Sequence, residues 1–548
     1  CAMSKKYIYP TRIIDSSKNI ANDVCLLKER TYLQIGLNET EYATLTRGSF
    51  VILDFGRELC GGVRILTYRS EKGLVRIRFG ESVSECCADI GQNNASNDHS
   101  PRDFSEPLFD YSDLTFGQSG FRFVRLDVLC GSLQIKSIVA AAFLAETKRN
   151  GYFFCSDNRL NDIFETSAYT LELCQRNGML WDGIKRDRLV WGGDLHVQML
   201  GTLSLFDADD TVRNSLRFLR EQTPLPAFMN GIPIYSLWWI MALIDYYMYT
   251  GDVTFLKENE CYVKGLIDLF VSCIDDNGDM HFDGVEDAYF FDLDTYRTEA
   301  SRAGVYAVAK YVFDKIGALS GAIGIDKAKT DGIASKIRGD TDDGGKIQIR
   351  AIYALGCKSN DYCFNPYQIV ADDLTIFMSY YIFSAMSEKK EGVQAVRLIK
   401  EYYGAMLDLG ATTFWEEFKM PWAKNSIRLD EIPDPAKKDF HADYGMFCFK
   451  GLRRSLCHGW SASPIPFVVK YILGIKILEP GYKKILVSPN LCGLQYAEGH
   501  IPTPYGEIKI YLKKNRDFTL AKVTVPQGVT VITEQTKNVR FITKICEN

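Results

Sequence analysis

Histidine is scarce in this chain, with six in 548 residues, and no two of them form an HExxH pair or a cluster with cysteine. Zinc chemistry therefore has no support. The 16 cysteines are scattered; only Cys86-Cys87 are adjacent and no CxxC spacing occurs, which excludes a metal ribbon and a disulfide scaffold. They read as buried thiols. No run of 18 apolar residues exists. The richest stretch, 232–249, is broken by Pro233, Ser236 and Asp245, so a buried helix is expected there rather than a membrane span. Basic charge is not in excess: the net charge is −5, so no basic surface for nucleic acid is indicated. GxSxG, P-loop and dinucleotide fingerprints are missing, and no repeat of fixed period is visible. Nothing in the pattern asks for a cofactor or a metal.

What is present is globular: 46% hydrophobic and 24% charged residues, in a chain too long for one core. Residues 1–150 read as β. Phe50–Phe55, Val63–Tyr68, Leu74–Phe79 and Gly120–Leu126 are short apolar or alternating runs separated by glycines, the pattern of a β-sandwich. The polar stretch from Cys86 to Ser105 is expected to be an exposed excursion. Residues 151–475 switch to helical period. Helices are expected at Asp157–Arg176, Asp207–Glu221, Ile234–Tyr249, Val253–Cys273, Arg297–Ser320, Asp372–Ser387 and Glu391–Leu409. At common helix and loop lengths the region holds about twelve helices, enough for hairpins that close into a barrel. Residues 476–548 return to β, with runs at Ile485–Pro489, Gly506–Leu512, Val523–Pro526 and Val529–Ile532.

One segment concentrates chemistry. Trp181 to Asp194 carries acids at 182, 187 and 194, bases at 185, 186 and 188, and two tryptophans. Glycines 183, 192 and 193 break it, so it reads as a loop feeding a helix that begins near Asp194, whose charge suits the helix N-terminus. Aromatic faces beside carboxylates suit a sugar: rings stack on C–H faces while acids bind hydroxyls and move protons. On local sequence alone a solvated loop of ion pairs is the competing reading.

The order Asp182, Arg186, Asp187, Arg188-Leu189, Trp191 and Gly193-Asp194 resembles the acid motif of glycoside hydrolase family 78, the bacterial and fungal α-L-rhamnosidases. The family more often has glutamate where this chain has Asp187, one methylene shorter, so the backbone is expected closer to the sugar. Ala411-Thr412-Thr413-Phe414-Trp415-Glu416 resembles the motif of the family's water-activating glutamate. The 54–82 region, from Asp54-Phe55-Gly56 to Phe79-Gly80-Glu81-Ser82, resembles the jelly-roll domain that precedes the family's catalytic domain.

The resemblance implies an (α/α)6 barrel at 151–475 flanked by N-terminal (1–150) and C-terminal (476–548) β-sandwich domains. It implies an inverting glycosidase that releases terminal α-L-rhamnose, with Asp187 as general acid, kept protonated by burial and acidic neighbours, and Glu416 as general base. Asp182, Arg186, Trp191, Asp194, Trp238, Asp292, Trp415 and His458 are the expected sugar-binding residues. Trp238-Trp239 fits the position of a family tryptophan; adjacent helical residues point about 100° apart, so one of the two is expected to face the pocket, and Trp238 is preferred. His441 is a weaker pocket candidate than His458, and Glu417 is expected to point elsewhere. In Phe290-Phe291-Asp292, Leu293 stands where the family has tryptophan, which implies an altered wall. A six-hairpin enzyme for another sugar and a sugar-binding protein without turnover remain alternatives. The partner expected is a carbohydrate, an oligomer is allowed, and the opening Cys1-Ala2-Met3 lacks an apolar signal core, so a cytoplasmic location is expected, or a lipid-bearing Cys1 if a leader has been removed.

Overall fold

The computed structural model describes residues 5–144, 147–339, 342–356, 364–534 and 538–546. Cys1 lies outside them. A helical middle region sits between two β-rich regions.

In the first region the separate runs merge into two long strands, Phe50–Gly80 and Ser112–Phe143, which pair antiparallel along most of their lengths. Four shorter strands join them. Alternate residues such as Leu53, Phe55, Val63, Ile65, Ile77, Phe121 and Leu126 face a shared core, which is why period-two alternation was visible in the sequence. Gly61 and Gly62 stand where the chain crosses: a Cβ on Gly61 would overlap the carbonyl of Ala141, and one on Gly62 that of Gly117. The 86–105 stretch is exposed over 89–94 and 97–99, as expected, but it is anchored at a few buried points. Ala95, Ser100 and Arg102 are buried, and Arg102 donates to the carbonyls of Glu85 and Ala88 at 2.9 and 2.6 Å. Ala88 and Ala95 pack against Leu452 of the helical region.

The helices begin and end close to the expected points where caps are strong. Asp157 accepts from the N–H of Leu160 and opens Asn158–Cys174; Pro233 opens and Gly251 ends Pro233–Thr250. The expected helix 253–273 is two, Val253–Glu258 and Glu260–Ser272, parted at Asn259. The expected helix from Asp372 starts only at Ser379, after a tight turn at Ala371–Asp373. Gly192–Leu205 packs on Pro233–Thr250, which packs on Ala300–Ile316, then Ile347–Gly356, Ser379–Glu388, Gly392–Asp408 and Asn158–Cys174, which returns to Gly192–Leu205. The helical contacts therefore close on themselves. Pro233–Thr250 is apolar nearly all round and buried accordingly; no helix among the described residues is long and apolar enough to cross a membrane.

The last region holds a five-stranded sheet ordered Val539–Cys546, Thr519–Pro526, Gly506–Lys514, Tyr496–Thr503 and Tyr152–Cys155. Its final strand comes from before the first long helix, inside the expected 151–475 region, and so ties the two ends of the helical region to one sheet.

Candidate active site

The cavity of interest has a volume of about 470 Å³ and a largely apolar wall, a size suited to a sugar unit. Three segments converge on it. The backbone of Asp182 and the backbone and side chain of Asp182 with Leu189 close the 183–188 loop: Asp182 N–H donates to Leu189 O at 2.8 Å, and Leu189 N–H to Asp182 Oδ1 at 2.9 Å. The N–H of Gly459 donates to Asp182 O at 2.6 Å, and that of His458 to Phe414 O at 2.9 Å. Residues 182–183, 414–416 and 455–459 are thereby stitched together. Asp187 and Arg188 hold φ of 52° and 59°, the left-handed region, which is costly for a non-glycine and is enforced here by that closure.

Seven of the ten expected site residues line this cavity: Asp182, Arg186, Asp187, Trp191, Asp194, Glu416 and His458. Arg186 joins the two segments far apart in sequence. Its Nη1 donates to Asp187 Oδ1 at 2.8 Å, and its Nη2 pairs with Glu416 Oε1. Burial alone would raise the Glu416 carboxyl, but Arg186, His458 and the N–H of Ser455, which reaches Glu416 Oε2 at 2.9 Å, hold it below the usual range, so it is ionised.

The environment expected for Asp187 belongs to Asp194 instead. Asp187 is at the cavity mouth, its side chain 15% exposed and paired with a guanidinium. Asp194 is fully buried; desolvation, with Asp182 and Glu416 nearby, pushes it up to about 8. His458 lies among three carboxylates: Nδ1 is 3.5 Å from Asp194, and Nε2 is 3.7 Å from Asp182 and 3.6 Å from Glu416. Burial opposes its charge, but those acids outweigh burial and push it up to about 9. Asp194 Oδ1 and His458 Nδ1 are buried without a hydrogen-bond partner in the protein. Two such atoms on a cavity wall are poised for ligand hydroxyls.

Three expected residues are placed elsewhere. Trp238 is fully buried, stacked on Tyr381 at 4.8 Å, and Trp239 is also core, its Nε1 donating to Leu216 O. The helix turns Tyr235 to the cavity, three residues before Trp238 and on the same face one turn earlier. Trp415 is sealed behind the site, stacked on Phe440 at 4.4 Å. Asp292 is buried in a small void behind the main cavity, bound by Thr375 Oγ1 at 2.6 Å, and is pushed up to about 6 by burial. Glu417 points into the same void, away from the main cavity, as expected. His441 is not a pocket residue: it sits between Ser82 Oγ (2.8 Å) and Arg454 O (3.0 Å), kept neutral by burial and nearby cations.

Sequence reasoning missed Tyr235, Phe290, Tyr296, Phe449 and Trp460, which supply aromatic wall. Trp460 had a signal, two residues after His458; its Nε1 donates to Glu416 O at 3.0 Å. Leu293 does line the wall, as the substitution implied. Also missed was the support from the first region. Lys185 Nζ lies 3.0 Å from Glu81 and 3.1 Å from Glu85. Glu81 accepts the N–H of Leu456 at 2.6 Å and the Ser455 hydroxyl at 3.2 Å. Two glutamates of the β region thus hold the segment that orients Glu416. Glu81, Glu85 and His441 bring ligand atoms within 4.8 Å of one another, and the positive charge among them is that of Lys185.

Comparison with known proteins accords with this geometry. Residues 148–293 match the bacterial alpha-L-rhamnosidase six-hairpin glycosidase domain, and residues 474–538 the bacterial alpha-L-rhamnosidase C-terminal domain. An alpha-L-rhamnosidase of Alteromonas sp. (strain LOR) is 24% identical over 549 residues, covering 87% of this chain and 55% of that protein. The structure of the family 78 rhamnosidase of Bacillus sp. GL1 superposes with a TM-score of 0.74 at 19% identity, over 93% of this chain and 56% of that one. The rhamnosidase of Klebsiella oxytoca with rhamnose bound superposes at 0.63 and 20% identity, over 85% of this chain and 96% of that one. The chain spans about half the length of the curated relative it matches. Helical domain, flanking β regions and acid-lined cavity together define a chain of the six-hairpin glycosidase type. Residues 148–293 and 474–538 thus carry domains similar to those of bacterial alpha-L-rhamnosidases, on a fold shared with the solved family 78 rhamnosidases.

Proposed function

We propose that the chain is an inverting glycosidase that releases terminal α-L-rhamnose. The observation that carries the reading is the Arg186 guanidinium, gripped by Asp187 and by Glu416, 230 residues further along, inside one cavity with aromatic walls. Two carboxyl groups across a scissile bond are what glycoside hydrolysis requires. Glu416, held ionised, takes a proton from water; Asp187 protonates the leaving oxygen. Asp182, Asp194 and His458 take ring hydroxyls. Trp191, Tyr235 and Trp460 pack on the ring, and Leu293 with Phe290 forms an apolar wall for the methyl of a 6-deoxy sugar. Inversion asks for carboxyl groups roughly 6.5–9.5 Å apart with substrate bound, leaving room for the water.

In this reading the closed circuit of helices is an (α/α)6 barrel at 151–475, and the β regions at 1–150 and 476–548 are sandwiches. Tyr152–Cys155 is the one strand the barrel segment lends to the last sheet. Leu293 also favours a second reading, a different deoxy sugar on the same machinery. Product analysis on p-nitrophenyl α-L-rhamnoside, with the anomer followed by NMR, tests the proposal. First-formed β-L-rhamnose supports it and first-formed α-L-rhamnose removes inversion. No release from this glycoside, with release from another in a panel of aryl glycosides, selects the second reading.

A further inference from the structure

The loop 96–102 of the first region reaches the cavity mouth and ends on Asp187. Asn97 shapes it: Oδ1 accepts the N–H groups of Arg102 (3.0 Å) and Asp103 (3.1 Å), and Nδ2 donates to Asp103 O at 2.9 Å. Two clips fasten it to the helical region. Ser100 Oγ donates to Lys185 O at 3.1 Å, and Asp98 pairs with Arg453 at 2.7 Å. Between the clips His99 is held at φ 64°, a left-handed conformation that a side chain seldom adopts without enforcement. Its imidazole spans Asp187: Nδ1 is 3.4 Å from the Asp187 carbonyl oxygen and Nε2 is 3.6 Å from Oδ1. The His99 side chain is 31% exposed against 15% for Asp187, so the ring meets both that carboxyl and solvent.

The chemistry of the two contacts is asymmetric. A carbonyl oxygen only accepts, so the nitrogen facing it is the one that carries hydrogen. In the neutral ring the other nitrogen is then a lone pair, and it faces the carboxyl. That lone pair accepts from a carboxylic acid and repels a carboxylate. In the protonated ring the same nitrogen carries a proton that passes to the carboxylate. The other charged or titratable groups around Asp187 are Arg186, which donates to it, Arg188 beside it, and Asp182 and Cys448 within electrostatic reach. Of these groups, only His99 both meets its carboxyl and faces solvent.

Resting on the hydrolase reading above, we infer that His99 is a positioning residue for Asp187, holding its carboxyl towards the leaving oxygen and returning its proton after each turnover. In one cycle Asp187 gives its proton to the leaving oxygen and Glu416 takes one from the attacking water. The His99 imidazolium then gives its Nε2 proton to Asp187 and regains one from solvent, while Glu416 releases one to solvent. No net proton is consumed. The loop of the β region is on this account part of the active site.

The test compares two rhamnosides in the full chain: a rhamnosyl disaccharide, whose leaving group needs protonation, and 2,4-dinitrophenyl α-L-rhamnoside, whose leaving group does not. His99→Ala is expected to lower kcat on the disaccharide about tenfold or more and to leave the dinitrophenyl substrate within about twofold. Added imidazole should restore part of the disaccharide rate and leave the dinitrophenyl rate unchanged. An equal loss on both substrates, which a merely structural role would produce, overturns the inference, as does an unchanged rate on the disaccharide. If the unmodified chain hydrolyses neither substrate, the hydrolase reading itself fails, and this is seen before any variant is made.

Discussion

Among single residues, the division of labour between three acids is decided by surroundings that chemical identity does not specify. Asp182, Asp187 and Asp194 are the same side chain within thirteen residues, yet one closes a loop, one meets an arginine at the mouth, and one is buried without a full set of partners. Asp187→Asn should abolish the proton donor and cut kcat on a poor leaving group by about 10²–10⁴-fold with the fold intact, measured by steady-state kinetics beside circular dichroism. Wild-type rates in that variant would remove Asp187 from the mechanism. The buried pair His458 and Asp194 makes a pH prediction. His458 titrates near 9 when folded against about 6.5 unfolded, and Asp194 near 8 against 3.8. Both folded groups hold protons more tightly than the unfolded chain, so both contribute stability at low pH that is lost as pH rises. For His458 the loss falls between about 6.5 and 9, and thermal melts across pH 6.5–9.5 should show a decline that His458→Gln flattens.

At the level of elements, the helix Pro233–Thr250 shows how a correct helix can carry a wrong contact. Its span was legible from an apolar run bounded by Pro233 and Gly251, but almost every position is apolar, so the sequence did not show which turn of the face meets the cavity. Packing turns Tyr235 inward and buries Trp238. Trp238→Phe should cost roughly 1–3 kcal/mol of stability and leave KM unchanged, whereas Tyr235→Ala should raise KM. A raised KM in the tryptophan variant would return it to the site. The start of Gly192–Leu205 depends on Gly193, where an added Cβ would overlap the Tyr235 ring. Gly193→Ala should displace that ring, costing about 1–3 kcal/mol and weakening sugar binding, measurable by calorimetry with rhamnose.

Over the molecule as a whole, the two β-rich regions are structural partners of the helical region. Glu81 and Glu85 reach Lys185 from the first β region, and Tyr152–Cys155 joins the helical region to the last sheet. Lys185→Met would leave two buried glutamates without their cation, a loss of about 3–5 kcal/mol, read as an earlier urea transition. Because Glu81 also holds the segment behind Glu416, catalysis in the surviving fold should fall with it. Unchanged stability would show that the network is not structural.

The sequence by itself determined the regional order of β, helix and β, most helix limits, and the two acidic motifs, because these depend on periodicity, caps and residue order over short spans. Only the tertiary structure decided that Arg186 bridges Asp187 to Glu416, that Trp415 and Asp292 stand behind the wall, and that the exposed stretch 86–105 is anchored at Ala95, Ser100 and Arg102. Those outcomes depend on which faces of distant segments meet, and on the burial and charge each side chain finds there, neither of which is written in local pattern.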